Sequence, residues 1–318
     1  MVEMAMSKSR SIMPIKLMTG RLPPVFAWAR VSTGSMCWQV LWQQWAYTLL
    51  IKESDNNQLL IKGYIMQILL ASAKIMNSSS LVEVPLMSEP TYKEQASKFA
   101  LELSSWDTKH LMKELKCSQA IAQENLQRYQ SFWNESEQMP AILAYFGQAY
   151  KYLKAETFSK DDFAFAQDYL FISSFLYGML RPLDRIHPYR MERKVKLEAA
   201  NGENLFSFWK PLLTDRLIES VKADDGILIH LATEEFEHLF DWKRVKEEVK
   251  VIQPLFYVDK GDTIKVVSVH AKSCRGAMTR YIIQNRLSHP SDILDFELEG
   301  FKYDKDYGDA SHPHFIKR

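Results

Sequence analysis

The stretch Val266-Val267-Ser268-Val269-His270-Ala271-Lys272-Ser273-Cys274-Arg275-Gly276 is the most informative part of this 318-residue sequence. Its β-branched beginning predicts a strand over 263–270, and its continuation predicts a helix over 271–287. The preceding Asp259-Lys260-Gly261-Asp262 is a turn signal, which predicts that this strand pairs with an earlier strand over 249–258 as a hairpin. A hairpin that runs into a helix indicates a mixed fold with partly antiparallel strands.

Other segments extend this prediction outward. Short apolar runs predict strands at 67–71 and 227–231, and a buried element over 172–180. Three helices are expected between residues 91 and 133, and another after Ser159; 74–89 is a polar loop, and 141–146 fits a strand or a helix equally. We therefore expect an α/β (mixed α+β) class, with a single large domain whose mixed, partly antiparallel sheet is surrounded by helices.

Composition excludes several classes of protein. Hydrophobic residues make up 47% and charged residues 25% of the chain, as in folded globular proteins. The 40 Lys and Arg nearly balance the 39 Asp and Glu, so binding to an anion requires a local basic patch. The three cysteines form no CxxC pair, which gives no sign of a disulfide scaffold or a zinc ribbon and favours a cytoplasmic location.

Residues 1–65 differ from the rest of the chain. They carry seven Lys or Arg against three acids, a net charge of +4, and four of the eight tryptophans. Their most apolar stretch, 37–51, is interrupted by three glutamines, so neither a membrane span nor a secretory signal is expected. We predict an atypical extension over 1–65, upstream of a true start at Met66, and one domain over 66–318. An amphipathic arm is the alternative.

The predicted helix over 271–287 carries a basic stripe. Lys272, Arg275, Thr279 and Arg286 fall within about 60° of one another around its axis. Arginine near a helix start suits phosphate or carboxylate, although a solvated cationic face would give the same pattern. Because ligands favour the carboxyl ends of strands in α/β sheets, this stripe, Lys74 after strand 67–71 and Glu234 after strand 227–231 are expected to share a cleft.

A second basic cluster lies within residues 177–193. Its four arginines are Arg181, Arg185, Arg190 and Arg193. Such residues pair with phosphates and stack on bases, which favours an anion or nucleic-acid surface. The alternative is an internal ion-pair network with Asp184, Glu192 and Glu198.

No metal or cofactor site is expected. Glu235 and His238 have the spacing of a di-iron helix motif, but such sites need a second pair, which the sequence lacks. GxSxG, GxGxxG and Walker motifs are also missing.

Several separated motifs resemble the YaaA peroxide-stress family over about 66–318. In chain order they are Leu69-Leu70-Ala71-Ser72-Ala73-Lys74, Lys154-Ala155-Glu156-Thr157-Phe158-Ser159, Leu176-Tyr177-Gly178-Met179-Leu180-Arg181-Pro182-Leu183-Asp184, Pro188-Tyr189-Arg190-Met191-Glu192, and Ala271-Lys272-Ser273-Cys274-Arg275-Gly276-Ala277-Met278-Thr279-Arg280-Tyr281-Ile282-Ile283. The resemblance implies a cytosolic protein that protects against hydrogen peroxide by limiting reactive iron. It also implies DNA binding through a basic cleft and a helix-hairpin-helix-like element near 111–132.

The chain departs from the family pattern at three places. Ala71-Ser72-Ala73-Lys74-Ile75 stands where Ser-Pro-Ala-Lys-Thr is usual, and Gly147-Gln148 stands where Gly-Asp is common. The turn of the expected helix-hairpin-helix, 115–120, contains no glycine. These changes remove a rigid turn, a carboxylate and a glycine of the kind that lets backbone N–H groups approach phosphate.

Two functions follow as hypotheses. The first is a non-enzymatic stress protein that binds DNA without sequence preference. Its DNA- or anion-binding candidates are Lys74, Arg181, Arg185, Arg190, Lys272, Arg275 and Arg280. The second is an enzyme for a small anionic metabolite, with Lys74, Glu234 and Glu235 as catalytic candidates. Direct iron sequestration is a weaker third alternative, because the ligand spacing is poor.

Overall fold

The computed structural model describes residues 65–318 and the backbone of two short strands before them, β1 (Ile51–Glu53) and β2 (Leu59–Ile61), which pair antiparallel. The chain divides into two units, Met1–Lys62 and Gly63–Arg318. The extension predicted for residues 1–65 therefore lies almost entirely outside the described residues.

The strands of the second unit are short. In chain order they are β3 (Gln67–Ala71), β4 (Met139–Pro140), β5 (Leu170–Ser174), β6 (Gly178–Leu180), β7 (Arg185–Ile186), β8 (Ile227–Leu231), β9 (Lys250–Ile252), β10 (Leu255–Asp259), β11 (Ile264–Lys265), β12 (Glu297–Leu298), β13 (Phe301–Gly308) and β14 (Pro313–Lys317).

Its helices differ widely in length. In chain order they are α1 (Lys93–Ser104), α2 (Thr108–Leu115), α3 (Gln119–Gln130), α4 (Ala141–Ala144), α5 (Gln148–Leu153), α6 (Lys160–Tyr169), α7 (Leu205–Lys222), α8 (Glu234–Glu237), α9 (Trp242–Glu248) and α10 (Ser268–Asn285).

A five-stranded sheet with the order β6-β5-β3-β8-β9 forms the centre of this unit. Strand β3 is parallel to both β5 and β8, β8 is parallel to β9, and only β6 runs antiparallel. The strands predicted at 67–71 and 227–231 are confirmed. Their nearly continuous apolar sequences are typical of parallel strands that are covered on both faces.

The second five-stranded sheet has the order β11-β10-β14-β13-β12. The predicted hairpin is confirmed, since Val258 pairs with Lys265 across the turn. The prediction of one strand over 249–258 is wrong, because β9 and β10 belong to different sheets. Pro254 lies between them, and its missing N–H cannot continue a strand ladder. The α/β class is confirmed, and the described strands of the second unit are divided between two five-stranded sheets and the two-stranded sheet β4-β7.

The strand predicted over 263–270 is wrong beyond Lys265, because α10 begins at Ser268. Val266 and Val269 are 57% and 53% exposed. Their β-branched side chains therefore mark a surface segment that enters a helix, and not a half-buried strand.

The helix predictions are largely confirmed. Helices α1 to α3 occupy the interval 91–133, and α6 begins with a capping box between Ser159 and Asp162. The run 141–146, left open between strand and helix, contains the one-turn helix α4. Within the described residues, no helix is both long and apolar enough to cross a membrane.

Helix α10 packs closely against helix α5. At Gly276 of α10, an added Cβ would lie 1.8 Å from the carbonyl oxygen of Ala149 in α5. Only glycine fits this approach, so it fixes the distance between the two helices. Ser273 of α10 also accepts a hydrogen bond from Gln148 Nε2 at 2.9 Å.

Candidate functional site

A cavity of about 320 Å³ lies at the carboxyl edge of the central sheet. Residues just beyond three parallel strands line it: Ser72 after β3, Phe175 after β5 and Thr233 after β8. Because β5 and β8 flank β3 on opposite sides, the chain connections leave the sheet in opposite directions at this point. Such a topological switch is the usual place for a ligand in open α/β sheets.

Helix α10 supplies the cationic wall of this cavity through Lys272 and Arg275. Arg275 is half-buried, and burial lowers the pKa of its guanidinium. Among residues 65–318, neither side chain forms an ion pair or a hydrogen bond, so both cations are left without an acidic partner. A partly desolvated guanidinium without a counter-ion favours an anion from outside the chain.

Lys74 and Arg190 form a second cationic group at the cavity, and both contact Glu192. Lys74 Nζ lies 2.6 and 2.8 Å from the two oxygens of Glu192, and Arg190 Nη2 lies 3.1 Å from one of them. The side chains of Arg190 and Glu192 are only 17% and 12% exposed. One carboxylate therefore holds two cations at the cavity, and one positive charge remains uncompensated.

Glu235 lies at the rim of the cavity, where Arg193 Nε stands 3.3 Å from its carboxylate. Glu234, the neighbouring acid, is exposed and does not line the cavity. The sequence-derived candidates that the fold brings together around one space are thus Lys74, Arg190, Lys272, Arg275 and Glu235. Glu234 is not among them.

Two buried tyrosines, Tyr150 and Tyr189, also line the cavity. The Tyr189 hydroxyl is hydrogen-bonded to the hydroxyls of Tyr145 at 2.8 Å and Ser174 at 2.6 Å. Burial raises the pKa of Tyr189, so this phenol stays neutral and available for hydrogen bonding. Tyr150 donates to the carbonyl oxygen of Ala71, which fixes the end of β3.

Four residues that are not among the predicted site residues also line the cavity: Gln148, Phe175, Tyr189 and Phe236. One signal was available, because Phe175 and Phe236 follow β5 and β8 at the sheet edge that favours ligands. The two rings stack at a centroid distance of 4.7 Å and an angle of 14°. They add an aromatic wall to a site predicted from charged residues alone.

Three other predicted binding residues lie outside the cavity. The Arg181 guanidinium stacks on Phe171 at 3.5 Å and donates to Gln67 and to the carbonyl of Leu170. Arg185 is paired with Glu89. Arg280 lies farther along α10, where it hydrogen-bonds Gln284.

A shallower basic cleft adjoins the rim. Arg193, the partner of Glu235, lines it together with Lys194, Lys210 and His238. Elsewhere in the described ranges, no group of three or more His, Cys, Asp or Glu is arranged to hold a metal ion.

Fold and site together define a mixed α/β protein with a cationic cavity at its sheet edge. The family model described as "Peroxide stress protein YaaA" matches residues 66–307, and the chain belongs to this family. It is similar to a UPF0246 protein of Phocaeicola vulgatus, with 44% identity over 248 residues, 78% of this chain and 97% of the relative. A UPF0246 protein of Crocosphaera subtropica is 35% identical over 253 residues, 79% of this chain and all of that relative.

Proposed function

We propose that this member of the peroxide-stress family binds a small anionic ligand in the cavity between α10 and the central sheet. Arg275 carries the proposal, because it is a half-buried cation that lines the cavity without a carboxylate partner among the described residues. A protein gains nothing for its own folding from such a charge. In this proposal, ligand binding serves the limitation of reactive iron that the family resemblance implies.

The shape of the site favours a small molecule. A volume of about 320 Å³ is at the lower end of ligand pockets. Its lining combines a few converging polar groups with apolar side chains such as Leu70, Met191 and Phe236. This combination is typical of sites that orient a metabolite, and Glu235 at the rim is the candidate acid or base for chemistry on it.

Calorimetric titration with inorganic phosphate tests this proposal. We expect saturable binding to the full chain and a loss of about tenfold or more in affinity for Arg275→Gln, because a charge-assisted hydrogen bond is removed. Arg280→Gln is the matched control, since it removes a guanidinium from the same helix outside the cavity. Equal affinity of wild type and Arg275→Gln, or no phosphate binding at all, would overturn the proposal.

DNA binding is a second candidate, favoured by one further observation. The Arg193–Glu235 contact joins the cavity to the basic cleft that contains Lys194 and Lys210. This basic surface extends beyond the cavity, as contact with a phosphate backbone requires.

Fluorescence anisotropy with a labelled duplex over a salt series tests the second candidate. DNA binding predicts that log affinity falls linearly with log salt, with a smaller slope for the Lys194→Ala/Lys210→Ala variant. Phosphate titration of the same variant separates the two functions, because cavity binding should be unchanged. No duplex binding at low salt would exclude this candidate.

A further inference from the structure

The unpaired positive charges around the cavity exceed the single negative charge of a monoanionic ligand. Glu192 compensates only one of Lys74 and Arg190, and Glu235 is compensated by Arg193 from outside the cavity. Lys272 and Arg275 have no acidic partner within residues 65–318. Two wholly unpaired cations and a third shared one therefore face the same space, which fits an anion with two negative charges.

The aromatic wall limits what the anion is attached to. Phe175 and Phe236 are stacked nearly parallel, and both line the cavity that Lys272 and Arg275 also line. Their exposed fractions are only 6% and 7%, so each ring is mostly covered by protein and only a small part of it borders the cavity. An apolar, flat group suits this part of the cavity because it packs against aromatic carbon without needing hydrogen-bond partners.

We propose that the ligand is a phosphate monoester that carries an aromatic ring, with the dianionic phosphate at Lys272 and Arg275 and the ring against Phe236. This inference rests on the proposed function and specifies its substrate class. It also distinguishes a terminal phosphate from a phosphodiester, since each diester linkage carries one charge and a monoester carries about two at neutral pH.

The affinities of the wild-type chain for four probes test the charge and the aromatic ring of the proposed ligand separately. Phenyl phosphate is the expected ligand, methyl phosphate has the charge without the ring, and benzenesulfonate has the ring with a single charge; inorganic phosphate reports whether the cavity binds anions at all. We expect phenyl phosphate to bind at least about tenfold more tightly than methyl phosphate, which lacks the ring, and than benzenesulfonate, which lacks one negative charge.

A conservative variant tests the location of the ring. Phe236→Leu keeps an apolar side chain but removes the aromatic face, so phenyl phosphate should lose about tenfold in affinity while methyl phosphate is unaffected. Phe165→Leu, a similar change at a buried ring on α6 outside the cavity, should leave both affinities unchanged.

The outcomes separate this inference from the proposed function. If inorganic phosphate binds but phenyl phosphate is no tighter than methyl phosphate or benzenesulfonate, the substrate class is wrong and the anion site stands. If no probe binds, both proposals fail. If phenyl phosphate binds most tightly, adenosine 5′-monophosphate and an oligonucleotide with and without a 5′-phosphate identify the source of the ligand. Binding of adenosine 5′-monophosphate indicates a mononucleotide. Binding of the oligonucleotide only when it carries the 5′-phosphate indicates the end of a nucleic acid.

Discussion

Replacing Arg275 by methionine should weaken anion binding and strengthen the fold at the same time. The guanidinium is half-buried, and burial lowers its pKa because the charged form loses hydration. Since no carboxylate compensates this cost within the described residues, methionine of similar length should raise the free energy of unfolding by about 1 kcal/mol. The lost charge-assisted hydrogen bonds should cost about 1.5–3 kcal/mol of binding, an affinity loss of about 10- to 100-fold.

Two assays on the same preparations measure these opposite effects. Chemical denaturation gives the free energy of unfolding, and calorimetry gives phosphate affinity for wild type, Arg275→Met and the control Arg280→Met. A binding residue predicts lower affinity with equal or greater stability. If Arg275→Met were destabilised by more than about 1 kcal/mol with affinity unchanged, Arg275 would be a structural residue and the reasoning would be refuted.

Three further predictions concern the structure around the site. Burial raises the pKa of Asp184 to about 6, so the folded state binds the carboxyl proton more tightly than the unfolded state does. Ionisation of Asp184 should therefore reduce the free energy of unfolding by about 3 kcal/mol as pH rises from about 4 through 6. The Asp184→Asn variant should lose this pH dependence in a series of denaturation curves. Gly276→Ala should destabilise the protein by about 1–3 kcal/mol or more in thermal unfolding, because its Cβ meets the Ala149 carbonyl oxygen, and a stable variant would disprove this packing. Tyr189→Phe should cost about 1–3 kcal/mol in urea unfolding by leaving two buried hydroxyls with one partner fewer, and an unchanged midpoint would contradict that network.

The sequence predicts where the site lies better than it predicts which residues line it. Apolar runs at 67–71 and 227–231 identify parallel strands, and the rule for strand ends then points to the sheet edge with the cavity that Lys74 and Arg275 both line. This inference works because burial on both faces leaves a clear hydrophobic signal.

Charge alone could not separate binding arginines from structural ones. Arg181 and Arg190 come from the same arginine-rich segment, but the first stacks on Phe171 in the interior and only the second lines the cavity. The difference depends on which residue lies opposite in the folded chain, a long-range contact that local spacing does not encode. The pairing of Lys74 with Glu192 is similar, because 118 positions separate the two residues.

The most direct test of the central claim is a crystal structure of the full chain soaked with tungstate, whose tungsten atom is located by its anomalous scattering. If the cavity binds anions, an anomalous peak should lie in it, with the tungstate oxygens within hydrogen-bond distance of the Arg275 guanidinium and Lys272 Nζ. Tungstate bound elsewhere on the surface, with no peak in the cavity, would contradict it.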